Sequence, residues 1–290
     1  MNLTIPDFPA RIEIEIASDC NLRCTYCPRH FVNTLKGYID FHLFEKIIKE
    51  AISYPDTILV LHRRGESMLH PEFKKMLELV SGRFKEVQMA TNATLLNKDK
   101  YEAIVNGLTF LSFSLDTPEN FDQTRIPAKY SKVESKILDF LDYNKGRVLT
   151  QASMVKTVKT AEEECAKFKS VWTDRVDRVR IYDQHSSDGN FGSLKNPRVI
   201  RKPCVMPFYE ILVYDSGNVA RCNHDWNSDN SASMGDLKKN GIKEIWHGEK
   251  YEELRKQQRT LQFDDSVCTR CDCWYPEIGR QGTGETWEKS

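Results

Sequence analysis

"RIEIEIASDCNLRCTYCPRH", residues 11–30, joins two patterns without a gap. Arg11–Ala17 alternates, with Ile12, Ile14 and Ile16 on one face, which is the period of a β-strand. Directly after it, Cys20, Cys24 and Cys27 form a C-x3-C-x2-C run. Three thiols are one short of a closed four-ligand metal site. They do suffice to hold a [4Fe–4S] cube with one iron left open, and an open position is where a metal binds substrate or cofactor. A closed Cys3His zinc site, with His30 as fourth ligand, is the competing reading.

Working outward, strand-like and helix-like segments alternate. "FHLFEKIIKEAI" (41–52) is an amphipathic helix, "TILVLH" (57–62) a buried strand, and "PEFKKMLELVSGRF" (71–84) opens a helix with proline. The unit repeats as "EVQMAT" with "NKDKYEAIVNG", "LTFLSFSLD" with "KVESKILDFLDYN", and "VLTQASMV" with "AEEECAKFKSVW". "DRVRIYD" (177–183) ends the series. Such alternation specifies an α/β fold with a parallel sheet and right-handed crossovers. Six strands curl into a partial, TIM-like (β/α)6 barrel rather than closing a full one. Chemistry then collects at the carboxyl ends of the strands, where the first cysteine run falls.

After Asp183 the pattern stops in a polar, glycine- and serine-containing stretch, so a domain boundary is expected near residue 190. The expected organisation is a barrel over 1–190, a linker over 191–203, a small domain over 204–275 and a tail over 276–290. "FYEILVYDSGNVARC" (208–222) reads as a hairpin turning at Asp215-Ser216-Gly217. "IKEIWHGEKYEELRKQQR" (242–259) reads as a helix, and the end of the chain as frayed loop.

Charge is balanced, 42 basic residues against 42 acidic, so there is no electrostatic case for nucleic acid. No apolar run reaches membrane-spanning length, and the first residues lack a signal-peptide core. A cytoplasmic protein with neither membrane nor nucleic-acid partner is expected. Nine cysteines in a reducing compartment then point to metal or iron–sulfur ligation rather than disulfides.

"CNLRCTYC", with Tyr26 in the aromatic slot, resembles the signature of radical S-adenosylmethionine (radical SAM) enzymes. Further family features fall in order. "RRGES" resembles the G-G-E-P segment, Gly65 and Glu66 matching, Ser67 standing at the proline position and Arg64 at the first glycine. "TNATL" resembles T-N-G-x-L, with Ala93 for glycine. "SFSLD" places Ser114 and Asp116 where the family has residues near the cofactor ribose, and Arg125 follows nine residues on. The resemblance implies S-adenosylmethionine contacts at Tyr26, Gly65, Glu66, Ser67, Asn92, Ser114 and Asp116. It implies that the cofactor's amino and carboxyl groups complete the open iron. It also implies an electron donor such as flavodoxin or ferredoxin.

Cys204 and Cys222 flank the hairpin in a C-x12-G-x4-C pattern, and Cys268 and Cys271 add a C-x2-C pair. Four thiols make a closed site, for a cluster or for zinc. The spacing, with Gly235, Ile245, Trp246 and Arg255 in a "G…IW…R" pattern, resembles the SPASM/twitch extension and implies a second, auxiliary [4Fe–4S] cluster in a hairpin-plus-helix domain. Aminocyclitol dehydrogenases and aminoglycoside epimerases share this build. A polar small molecule, a carbohydrate or aminocyclitol, is therefore the expected substrate, oxidised or epimerised at a C–H. Cys273 is the candidate hydrogen-atom donor for epimerisation, and Cys165 a core residue. His62, Arg63, Asp183, Gln184 and His185 are strand-end candidates for substrate contact. Ribosomal-peptide modification, and a non-catalytic iron–sulfur or zinc scaffold, are the alternatives.

Overall fold

In the computed structural model the described residues are 3–30, 37–184, 201–226, 233–264, 267–271, 274 and 284–288. The six expected barrel strands form. They are β1 (Arg11–Ile14), β2 (Ile58–Val60), β3 (Glu86–Thr91), β4 (Phe110–Ser114), β5 (Leu149–Lys156) and β6 (Arg178–Asp183), each parallel to the next. Helices between them bury their apolar stripes on one face of the sheet. Phe44, Ile47, Met76, Leu77, Ile104, Ile137 and Phe168 pack with Ile12, Ile14, Leu59, Met89, Phe113 and Met154 in one core.

The other face of β1 is not wet. Arg11, Glu13 and Glu15, which alternate with the isoleucines, are all buried. Barrel curvature turns that face inward, and a buried charge persists only when paired. Arg11 Nη1 meets Glu210 Oε2 at 2.7 Å, Arg63 Nη1 meets Glu13 Oε1 at 3.3 Å, and Arg64 Nη2 meets Glu15 Oε2 at 2.6 Å.

Glu210 lies on β7 (Glu210–Val213), which pairs parallel with β1, while β8 (Val219–Ala220) completes the hairpin antiparallel to β7. The hairpin thus continues the barrel's own sheet. Gly217 at the turn has φ +89°, where an L side chain would be strained. The expected single helix over 242–259 is two, Ile242–Trp246 and Glu249–Thr260, broken at His247-Gly248. Trp246, Tyr251 and Leu254 share the barrel's core. The expected boundary near residue 190 lies outside the described residues.

The end of the chain departs from the expected loop. Gly284–Glu288 is a strand, β9, antiparallel to β6. An open barrel leaves its last strand's backbone groups unpaired, and β9 takes them up, with Lys169 Nζ 4.2 Å from the Trp287 ring centroid. Cys165 is partly buried against the core. Among the described residues no helix is long and apolar enough to cross a membrane.

Candidate active site and auxiliary metal centre

The loop after β1 is braced before its first cysteine. Asp19 Oδ1 accepts from the Cys20 backbone N–H at 2.9 Å and from Arg29 Nη2 at 3.0 Å, while Arg29 Nε donates to the Ser18 carbonyl at 3.0 Å. The Cys27 N–H returns to the Cys24 carbonyl at 3.0 Å. Arg23 and Cys24 pair antiparallel with Ile126 and Arg125, so the cysteine loop is stitched to the segment beyond β4. Cys20, Cys24 and Cys27 are half-buried, and burial raises each thiol's pKa. A bound metal would supply the charge that makes their thiolates stable.

Tyr26 and Asp116 are bonded to each other. The phenol donates to Asp116 Oδ2 at 3.0 Å, and the same carboxylate accepts from Thr124 Oγ1 at 2.7 Å and Arg125 Nε at 2.9 Å. Arg125 Nη2 also holds the Leu115 carbonyl at 2.9 Å. Asp116 therefore anchors the cysteine loop to the end of β4.

The loop after β2 approaches the cysteine loop so closely that only glycine fits. A Cβ on Gly65 would lie 2.3 Å from the carbonyl oxygens of both Ala17 and Asp19. Next, the Glu66 N–H donates to the Asp19 carbonyl at 2.8 Å. The Glu66 carboxylate accepts from Thr91 Oγ1 at 2.8 Å, the Asn92 N–H at 2.8 Å and the Met68 N–H at 3.2 Å. Burial raises its pKa, and these three donors oppose that shift. Ser67 Oγ donates to the Leu61 carbonyl at 2.7 Å. Asn92 Nδ2 reaches Asn21 Oδ1 at 2.9 Å and stands 3.9 Å from Cys20 Sγ. Ser114, at the end of β4, is half-buried opposite Ser153.

The other half of the same loop turns away from the cysteine run. Arg63 Nη2 donates to the Asp225 carbonyl at 2.9 Å and the Cys222 carbonyl at 3.3 Å. Arg64 Nη1 donates to the Trp226 carbonyl at 3.0 Å. Both guanidinium groups lie over the Tyr214 ring, at 5.0 and 4.1 Å. Arg63, expected as a substrate contact, is instead a fastener for the loop that carries Cys222. His62 is half-buried, with Nδ1 accepting from the Ala90 N–H at 3.0 Å.

That loop closes a cavity. Cys204, Cys222, Cys268 and Cys271 line it together with Met206, Leu254, Gln258 and Trp274, around about 370 Å³ of atom-free space, open solvent included. Burial drives the Cys222 thiol well up, reinforced by the other three thiols. Four sulfurs around a shared cavity match a cube, which offers each sulfur its own iron. Cys273 and His185 lie outside the described residues, as does the side chain of His30.

Residues 14–168 match the radical SAM superfamily, and residues 204–273 match SPASM, an iron-sulfur cluster-binding domain. The chain belongs to the radical SAM superfamily. It is 24% identical over 275 residues to the S-adenosyl-L-methionine-dependent 2-deoxy-scyllo-inosamine dehydrogenase of Niallia circulans, covering 90% of this chain and 92% of that protein. A 32% identical match to the tungsten-containing aldehyde ferredoxin oxidoreductase cofactor-modifying protein of Pyrococcus furiosus spans only 36% of this chain and 30% of that relative. Among solved structures, BtrN in complex with AdoMet and 2-DOIA superposes with TM-score 0.63 at 19% identity, covering 90% of this chain and 91% of that one. Streptococcus suis SuiB bound to precursor peptide SuiA gives TM-score 0.73 at 14% identity, covering 93% and 71%.

The radical SAM chain is thus an enzyme whose cofactors are iron–sulfur clusters and S-adenosylmethionine. The "G…IW…R" pattern has a structural meaning in it. A Cβ on Gly235 would lie 2.7 Å from Ile245, Trp246 Nε1 donates to the Pro6 carbonyl at 3.0 Å, and Arg255 lies 4.3 Å from the Trp246 ring centroid. Sequence reasoning missed Asp19, Arg29 and Gln258. The signal for Gln258 was present, because Tyr251, Leu254, Arg255 and Gln258 keep the spacing of a buried helix face.

Proposed function

We propose that the enzyme removes a hydrogen atom from the C–H of a secondary carbinol on a carbohydrate or aminocyclitol and completes its oxidation to a ketone. In this reading Cys20, Cys24 and Cys27 hold three irons of one cluster, and S-adenosylmethionine completes the fourth. Tyr26, Gly65, Glu66, Ser67, Asn92, Ser114 and Asp116 shape the cofactor's site. When bound, the cofactor pair supplies a 5′-deoxyadenosyl radical from one electron of an external donor such as flavodoxin or ferredoxin.

The chain's own contribution is placement. Gly65 lets two strand-end loops meet, Glu66 ties that loop to the end of β3, and Asp116 with Arg125 fixes the cysteine loop from the far side. The observation that carries the oxidative reading is the four-thiol cavity. A cluster with a thiolate on every iron has no open site for substrate and supplies an electron acceptor instead. Oxidation balances: the carbinol loses one hydrogen atom to the nucleoside radical, then one proton to solvent and one electron to the acceptor. Similarity along nearly the whole length to a 2-deoxy-scyllo-inosamine dehydrogenase supports the substrate class. Epimerisation, with Cys273 as hydrogen donor, is the redox-neutral rival.

Anaerobic reconstitution tests this. Two four-iron clusters give about eight irons per chain, falling to about four in a Cys20/Cys24/Cys27→Ala variant that forms no 5′-deoxyadenosine. With an aminocyclitol substrate the product should be lighter by a dihydrogen. A product of unchanged mass carrying solvent deuterium would select epimerisation, and turnover only of peptides would select the other substrate class. Bound zinc, or undiminished cofactor cleavage by the triple variant, would overturn the radical reading.

A further inference from the structure

Gln258 sits in the Glu249–Thr260 helix with none of its surface exposed. An amide in that position costs stability unless both of its ends are bonded. Both are. Oε1 accepts from the Cys204 backbone N–H at 3.0 Å and from Arg201 Nη2 at 3.4 Å, and Nε2 donates to Cys268 Sγ at 3.4 Å. The orientation of the amide is fixed chemically. The Cys204 N–H is a donor only, so the oxygen must face it and the NH2 must face the sulfur. One side chain therefore bridges two of the four thiols of the auxiliary cavity, one through its backbone and the other through its sulfur.

A hydrogen bond to a ligand sulfur favours the state in which the sulfurs carry more negative charge. In an iron–sulfur cluster that is the reduced state, so an N–H donor raises the reduction potential. The donor side chain is fully enclosed and the hydrogen bond part-buried, which weakens the competition from solvent. We propose that Gln258 is a positioning residue of the auxiliary centre that, through its amide on Cys268, raises the potential at which the centre accepts an electron from the substrate. This inference rests on the oxidative reading above and gives it a device, since a higher potential favours onward oxidation over return of a hydrogen atom. Helix placement supports the role. Arg255, one turn earlier, donates through Nε to the Pro207 carbonyl at 2.9 Å, fixing the helix against the segment that leads from Cys204 into the hairpin.

The test uses the full-length chain carrying Cys20/Cys24/Cys27→Ala, so that only the auxiliary centre holds iron, and follows its reduced-state EPR signal in a potentiometric titration. Two variants are compared with Gln258 intact. Gln258→Met keeps the volume and removes both polar ends. Gln258→Glu keeps an acceptor for the Cys204 amide and removes the donor to sulfur. Both should retain about four irons. In each, the ratio of reduced to oxidised centre at a fixed potential should fall by about tenfold or more, a shift of about 59 mV for each tenfold in a one-electron couple, with the larger fall in Gln258→Glu because a charge is added. Iron retained with an unchanged midpoint in both variants would leave Gln258 a packing residue and overturn the proposal. Loss of iron from both would overturn the tuning role in favour of structure alone. Absence of iron in the background chain itself is a separate result, which removes the auxiliary-cluster reading together with this one.

Discussion

Cys20, Cys24 and Cys27 stand on a loop held by side chains that reach between neighbouring strand ends, chiefly Asp19 with Arg29 and Asp116 with Arg125. Cys204, Cys222, Cys268 and Cys271 line a cavity whose wall is held by backbone carbonyls resting on Arg63 and Arg64. The six residues His62–Ser67 serve both. Gly65 and Glu66 face the first site, while Arg63 and Arg64 face the second. This explains a departure from the family pattern, Arg64 at the place of a glycine. Arg64 occupies the place of a glycine because its guanidinium is needed between Glu15 and the Trp226 carbonyl. Gly65 alone makes the close approach that demands a missing side chain. The segment is divided between two sites rather than degraded.

Replacing Arg64 is the strongest way to break that division. Arg64 and Glu15 have no exposed side-chain surface, and Arg64 donates to Glu15 through Nε at 2.8 Å and Nη2 at 2.6 Å. Removing one partner of a buried pair costs about 3–5 kcal/mol, because the other charge is stranded. Arg64→Met should therefore lower unfolding free energy by that order in denaturant titrations. Glu15→Gln added to it should restore a large part. Iron analysis sharpens the comparison: the auxiliary iron should be lost before the iron of the first site. Equal loss from both, or no loss of stability, would show that the two halves of the segment are not separate supports.

Much of this was legible. Period-two and helical stripes gave six parallel units, and cysteine spacing placed one thiol run at a strand end and another around a hairpin. What was not legible depended on distance along the chain. The alternation in Arg11–Ala17 does not show that Arg11, Glu13 and Glu15 are buried, because Glu210, 199 residues from Arg11, shares their interior. Strand β9 was hidden because its reason for forming is the unpaired edge of β6, not its own pattern. The roles of Arg63 and Arg64 were hidden because their partners include backbone carbonyls, which carry no sequence signal.

A middle-sized effect comes from His62, on the barrel side of the divided segment. Burial pushes its pKa down to about 4, from about 6.5 unperturbed, and Nδ1 is already occupied as an acceptor from Ala90. The folded pKa is depressed, so the stability His62 contributes is complete above pH 6.5 and is lost as pH falls toward 4. Between pH 6.5 and 5 the loss amounts to roughly 2 kcal/mol at most, since the ring is only half-buried. Glu210 acts in the opposite direction. Burial pushes it up to about 7 against the pull of Arg11, so its contribution is lost as pH rises. The two offset each other and flatten the wild-type profile. In His62→Gln the acid-side loss disappears, and stability measured by denaturant titration should rise as pH drops from 7 to 5. An unchanged profile would remove His62 from the account.

The smallest effect tests the other family departure, Ala93 in place of glycine. Its φ is +58°, in the left-handed region, and it is fully buried in the core. For an L residue that conformation costs about 1–2 kcal/mol, which glycine would relieve. Glycine would also give up a buried methyl, worth about 0.8 kcal/mol. The freer unfolded chain would take about 0.4–1 kcal/mol more. These terms nearly cancel, so Ala93→Gly should change unfolding free energy by less than about 1 kcal/mol. The backbone there is set by its neighbours. The Ala93 N–H donates to Thr91 Oγ1 at 3.0 Å, and that hydroxyl donates to Glu66 at 2.8 Å. A stabilisation well above 1 kcal/mol would mean that the methyl packs poorly and that the left-handed turn at the end of β3 is strained. A loss of that size would mean that the methyl, rather than the backbone, holds Asn92 beside Cys20.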